Sequence, residues 1–476
     1  MVDTLIENGH VITVDRERRS IPDASIAIDD GRIVAVGPTA ELAKTYRPGA
    51  RRRIDARRKV VLPGLIDAHA HAGHGLMKTI GGGDGEKWAQ ACAKVYALHS
   101  PPSFWEAEAR LAALERLKCG TTTGLSMLGG GDGTMRTDRP DYALAHAAAT
   151  KSVGIRSIVA VGLSNPPFPK TFRDHINDAD EVIDVEDQLA SCSALIDAFS
   201  GGDDWRIRIC LMMSVLKPDA VGDGGIDRFW YDHADAVRSL SRDAGTLFTQ
   251  DGHCRGSVAL ADTLGLLGDD AVFSHCVDLE DAEVERIVET GTRVVTNPSA
   301  NMAIRGRCPV VELLDAGGIV MIGSDGTAPD RSADMFRHMQ QAMHYHRRHF
   351  RDTRVLPPGK TLEMVTIDAA RGLRLDDHLG SIEVGKRADL IFIDLAKPHL
   401  YPLQMPLWRV VSFANGADVD TVMIDGEILM AGRQVVTVDE QDTLDHAQEA
   451  AVRAITDAGL LDQLAEPPSL WRGTRF

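Results

Sequence analysis

His69 and His71 stand two residues apart where an apolar run stops, in "VVLPGLIDAHAHAGHG" from Val60 to Gly75. Residues i and i+2 of a β-strand share a face, so both imidazoles can reach one cation. Further along, His275 closes the run "AVFSHC" and Asp325 closes "IVMIGSDG". A carboxylate and several imidazoles brought to one point suit zinc or a similar divalent metal. Taken singly, each fragment has an ordinary reading: a packed histidine pair, a buried histidine, a turn. Their weight comes from position, because each lies at the end of an apolar run and the runs recur in order.

Such residues need a frame that gathers strand ends. After "LPGLIDAHAH" come "GTTTGLSML", "GIRSIVAVGL", "WRIRICLMMSV", "GTLFTQ", "AVFSHC", "TRVVTN" and "GIVMIGSDG", with helical patterns before several of them. In "LEDAEVERIVETG", Val284, Ile287 and Val288 fall at i, i+3, i+4 and Gly291 supplies a stop. Eight strands alternating with helices predict a (β/α)8 TIM-type barrel, whose chemistry lies at the C-terminal ends of its strands. An open doubly wound sheet is the alternative. Both chain ends read as short strands, with Asn8-Gly9, Asp30-Gly31 and Asp425-Gly426 as hairpin turns. The expected organisation is therefore a barrel over 63–375 and a small β-sandwich built from 1–62 and 376–440. A C-terminal helical extension follows over 441–476.

Composition narrows the function class. The chain has 476 residues, 44% apolar and 25% charged, with a net charge of −17. That acidity argues against nucleic acid and anionic membranes as partners and leaves a small-molecule substrate. The seven cysteines include no CxxC pair, which suits a reducing cytoplasm. The first residues, "MVDTLIENGHVITVD", lack the basic start and apolar core of a secretory signal, and no run approaches the roughly 20 apolar residues of a membrane span. The expected location is cytoplasmic.

"LPGLIDAHAH", "KCGTTT", "FSHC", "NPSANM", "GSDG" and "GSIEVGKRADLIFID" occur in this order. Together they resemble the amidohydrolase superfamily, in the branch of the triazine hydrolases and the guanine and cytosine deaminases. The resemblance implies a metal-dependent hydrolase barrel, a β-sandwich made of both termini, and a homo-oligomer. Two departures carry chemical content. Binuclear members place a bridging lysine at the end of strand four, whereas here "WRIRICLMMSV" has none and Lys217 follows as a loop cation. One divalent metal per chain is therefore expected, zinc ahead of iron, cobalt or manganese. Mononuclear deaminases carry His-x-x-Glu at the end of strand five, and the matching positions in "GTLFTQDGHC" are Gln250 and His253.

The resemblance thus implies His69, His71 and Asp325 as metal ligands, with Gln250 or His253 completing the shell. His275, Asp325 and His253 are the expected catalytic groups, His253 as a shuttle near neutral pH. The missing glutamate counts against ring deamination. Among relatives without it, the chain is most similar to bacterial phenylurea and thiocarbamate hydrolases, which implies attack on a urea or carbamoyl carbon. The alternatives are an aminohydrolase or dechlorinating hydrolase acting on a nitrogen heterocycle, and a catalytically inactive barrel serving as a binding or assembly subunit.

Weaker signals complete the reading. The Gly-rich stretches 81–85 and 129–134 are expected as loops above the barrel, the first as a lid. Trp88, Met127, Met302 and Phe168 are candidates for the pocket wall. His338 to Phe350 is read as a helix with a solvated histidine face rather than a second metal site.

Overall fold

The structure is a computed structural model describing residues 1–129, 133–200, 205–300, 305–328 and 331–471. The eight runs form eight parallel strands: Leu65–His71, Thr121–Met127, Arg156–Gly162, Ile207–Met212, Leu247–Gln250, Ala271–Ser274, Arg293–Thr296 and Val320–Ile322. Each pairs with the next in chain order. Helices cover them, so most positions are buried and the strands read as continuous apolar runs rather than alternating ones. The ring closes where Ala70 bridges Asp325 and the Asp325 N–H donates to the His69 carbonyl at 2.9 Å. Closure excludes the open doubly wound sheet.

Local signals account for the helices. Asp281–Thr290 buries Val284 and Ile287 and ends at Gly291, whose φ of 70° is the left-handed cap that glycine adopts without strain. Pro102–Lys118 and Pro140–Val153 each begin on proline, whose missing N–H costs nothing in a first turn. Glu440–Asp457 packs on Pro102–Lys118. The helix Met335–Phe350 departs from expectation: His338 and His346 are buried while His344 and His349 stay exposed. Its spacing alternates the histidines between faces, so only part of the set is solvated.

The termini build one nine-stranded sheet. Its order runs Gln434–Val435, Glu427–Ala431, Val419–Ile424, Leu390–Asp394, Lys59–Pro63, Val2–Ile12, Ser20–Asp29, Arg32–Pro38, with Ala50–Asp55 also on Val2–Ile12. Asp30-Gly31 and Asp425-Gly426 turn hairpins, since Asp29 pairs with Arg32 and Ile424 with Glu427. Asn8-Gly9 does not. Asn8 takes a φ of 63° and the pairing register shifts around Gly9, so the pair makes a bulge inside one continuous strand. A hairpin of Lys170–Asp174 and Ala179–Ile183 follows the third barrel strand and was not expected, its strands being short and polar. Among the described residues, no helix is long and apolar enough to cross a membrane.

Candidate metal centre at the barrel mouth

The first strand ends on His69 and His71, both buried and both aimed at the barrel axis. Asp67, two residues before His69, fixes that strand. Its carboxylate accepts from the Ser324 N–H at 2.9 Å, the Ser324 hydroxyl at 2.6 Å and the Arg116 Nε at 3.2 Å. The first and eighth strands are thus tied together beside the residues they present. His275 and Asp325 leave their strands with φ of 70° and 62°. Left-handed backbone is costly for such residues and is retained here where it turns both side chains onto one point.

That point holds a fifth group, Asp251. Its Oδ1 lies 3.3 Å from His69 Nε2 and 3.0 Å from His275 Nε2, and its Oδ2 lies 3.4 Å from His71 Nε2. Asp325 Oδ1 is 3.0 Å from His71 Nε2 and its Oδ2 is 3.9 Å from His275 Nε2. His69, His71 and Asp251, and likewise His69, His275 and Asp325, each offer ligand atoms within 4.8 Å of one another. The Ser274 hydroxyl holds Asp251 Oδ1 at 2.6 Å, and Arg331 Nη1 sits 3.8 Å from Asp325 Oδ2.

Burial by itself would raise Asp251, but the His275 and His69 imidazoles outweigh it and hold the carboxyl well below the usual range. Asp325 is held down in the same way, burial being overcome by the hydrogen bond from His71 and by His275. His71 moves up: burial opposes its charge, and its contacts with Asp325 and Asp251 prevail. His74 lies parallel on His71 at 4.9 Å, pairs Nδ1 with the Tyr96 hydroxyl at 2.9 Å, and is pushed well down by burial and by His71. Two ionised carboxylates facing three imidazole nitrogens, with the buried His69 Nε2 lacking any hydrogen-bond partner, form a donor set that a divalent cation completes.

Of the residues read from sequence, the structure brings together His69, His71, His275 and Asp325. Gln250 turns elsewhere, its Nε2 donating to the Ser214 carbonyl at 2.8 Å. His253 is fully buried, stacks on Phe273 at 4.0 Å and pairs Nδ1 with the Ser257 hydroxyl at 3.0 Å. Burial pushes it down to about 3, which removes the basis for a neutral-pH shuttle. Neither metal-type grouping includes it. The strand-five contribution comes from between the two matched positions. Strand five ends at Gln250, and Gly252 follows Asp251 with a φ of 97°, so the chain turns there. The Asp-Gly pair after "LFTQ" was the available signal.

Lys217 lies exposed in the loop beyond strand four. Trp88 stands edge-on to His74 at 4.7 Å, Met127 is buried at the end of strand two, and Phe168 packs on Phe229 at 6.1 Å. Met302 and residues 130–132 lie outside the described residues. In the first Gly-rich stretch, the Gly81 N–H donates to the Gln463 carbonyl at 3.2 Å, so the C-terminal segment covers it.

Comparison with known proteins gives a consistent picture. The family described as amidohydrolase matches residues 60–191 and 233–429, and a bacterial imidazolonepropionase-like composite domain matches 26–47. A 5'-deoxyadenosine deaminase of Methanosarcina mazei is 29% identical over 462 residues, covering 95% of this chain and 98% of its own. A 5-methylthioadenosine/S-adenosylhomocysteine deaminase of Desulforudis audaxviator is 31% identical over 468 residues, covering 95% and 99%. Among solved structures, an adenosine deaminase from Xanthomonas campestris with bound zinc has a TM-score of 0.82 at 26% identity, over 96% of this chain and 99% of that one. The atrazine chlorohydrolase TrzN from Arthrobacter aurescens TC1, complexed with zinc, has a TM-score of 0.77 at 22% identity, over 94% and 100%.

Proposed function

The chain belongs to the amidohydrolase family and is a hydrolase of carbon–nitrogen bonds other than peptide bonds, and on that footing we propose that it removes an amino group from a nitrogen heterocycle of the aminopurine type. The observation that carries this reading is likeness over nearly the whole length to adenine-ring deaminases, joined to a strand-end cluster of three imidazoles and two carboxylates. The order of the two readings made from sequence is thereby reversed. Phenylurea hydrolysis rested on the missing glutamate at position 253 and on resemblance, whereas the relatives matched over nearly the whole length are deaminases.

His69, His71, Asp251 and Asp325 would hold one divalent metal, which when bound acts as a Lewis acid toward water. The chain's own residues then manage protons. Asp325 carries an ionised carboxylate and takes the proton of the attacking water at Oδ2. His275 Nε2 lies 3.0 Å from Asp251 Oδ1 and 3.9 Å from Asp325 Oδ2, which places the imidazole beside the oxygen that forms. Asp325 returns the proton to the departing nitrogen. The ring carbon gains oxygen, water supplies it, and ammonia leaves.

The test is a substrate panel assayed with zinc-loaded protein. Adenosine, 5'-deoxyadenosine and methylthioadenosine are expected to release ammonia. Release of aniline from N-aryl ureas, without ammonia from any aminopurine, would overturn the reading.

A further inference from the structure

A small cavity of about 10 Å³ lies beside the centre, lined by His71, Glu108, Arg116, Ser126, His146 and Thr327 among others. It sits between the first barrel strand and the helices Pro102–Lys118 and Pro140–Val153. Its volume is the room one water needs. Four atoms of its lining residues are buried with no protein partner: His71 Nδ1, Glu108 Oε2, and both nitrogens of His146. Unsatisfied buried polar atoms are costly, and four of them on residues that line one void are not what packing alone produces.

The other atoms of these residues are committed. His71 turns Nε2 to Asp325 and Asp251, so Nδ1 lies on the opposite edge of the ring. Glu108 Oε1 accepts the Gly75 N–H at 3.1 Å, which fixes the carboxylate and leaves Oε2 over. His74 lies flat on His71, so the face of the ring is held and its outer edge alone needs an anchor.

We propose that this cavity holds a structural water accepting from His71 Nδ1–H and donating to Glu108 Oε2, with His146 as its third partner. Glu108 is then a positioning residue acting through His71. A metal-bound histidine whose second nitrogen is anchored to a carboxylate, directly or through water, has a fixed tautomer and a more basic ligand nitrogen. Glu108 and His146 gain a shared task here: they set how tightly His71 binds the metal while touching neither metal nor substrate. The proposal rests on the reading of His71 as a ligand.

Zinc titration with chelator competition tests it. Glu108→Gln keeps the shape and an acceptor for the Gly75 N–H, but presents an amide to the water. The zinc dissociation constant is expected to rise by roughly 10–100-fold, with the melting temperature of the metal-free protein unchanged. Cobalt-loaded Glu108→Gln should show shifted d–d absorption, which a merely structural role would not move. His146→Leu should weaken zinc in the same direction, and it carries the test if Glu108→Gln fails to fold. A crystal structure of the wild type should place a water within hydrogen-bond reach of all three residues. Wild-type zinc affinity in both variants, or a dry cavity, overturns the proposal. A wild type that takes up no zinc overturns the ligand reading of His71 beneath it.

Discussion

Asp325 at the barrel mouth and Asp389 at the junction with the terminal sheet are buried alike, 5% and 6% exposed, yet their surroundings are opposite. Asp389 receives Arg156 in a two-pronged grip, Nε at 2.9 Å and Nη2 at 3.1 Å, and also the Asp425 N–H at 2.9 Å. Arg156 reaches Asp425 as well, and Arg387 adds a further contact to Asp425 at 2.7 Å. Charge there is balanced within the protein by arginine, which cannot give up its proton. At the mouth, charge is met by imidazoles, two of which have unpartnered nitrogens, and the backbone is strained at His275 and Asp325. Both regions bury carboxylates. The junction matches its carboxylates with arginine, and the mouth gathers ligand atoms of the kind that hold a divalent cation.

Breaking each side should therefore fail in a different observable. Asp325→Asn is expected to lower turnover by about 10³-fold or more, with a melting temperature near that of the wild type. Ammonia release and thermal unfolding, measured together, check both halves. Arg156→Met should do the reverse. It leaves Asp389 buried without its partner and should cost about 3–5 kcal/mol in denaturant unfolding, while the folded protein keeps its turnover. Equal loss of activity in the two variants would erase the distinction.

Asp251→Asn sharpens the mouth itself. It should lower zinc affinity and turnover by roughly 100-fold, and Gln250→Ala by much less. Equal effects at the two positions would return the strand-five role to the residue expected from sequence.

The smallest effect concerns a histidine belonging to neither region. Burial, with Arg307 nearby, pushes His346 down to about 4. Between its unfolded value near 6.5 and about 4, the unfolded chain binds a proton that the folded chain refuses. Stability therefore falls as pH drops through that window, by up to about 3 kcal/mol at its lower end. From pH 7 to 4 the melting temperature of the wild type should fall more steeply than that of His346→Leu, so the variant gains on the wild type toward the acid end.

The sequence by itself determined the barrel, because eight buried parallel strands must read as eight apolar runs parted by helices. It also determined that His69, His71, His275 and Asp325 end those runs, because period-two alternation and run boundaries are local properties. Asn8-Gly9 marks where local reading stops: the same dipeptide serves a hairpin or a bulge, and the continuing partner strand decides. Strand five marks it again. Gln250, Asp251 and His253 lie within four residues of chain, and which of them enters the centre depends on a turn at Gly252 and on the packing of His253 against Phe273. The pairing of Glu108 with His71 was beyond sequence altogether. It joins a helix face to a strand end across a cavity, and a cavity is a property of packed surfaces that no single segment carries.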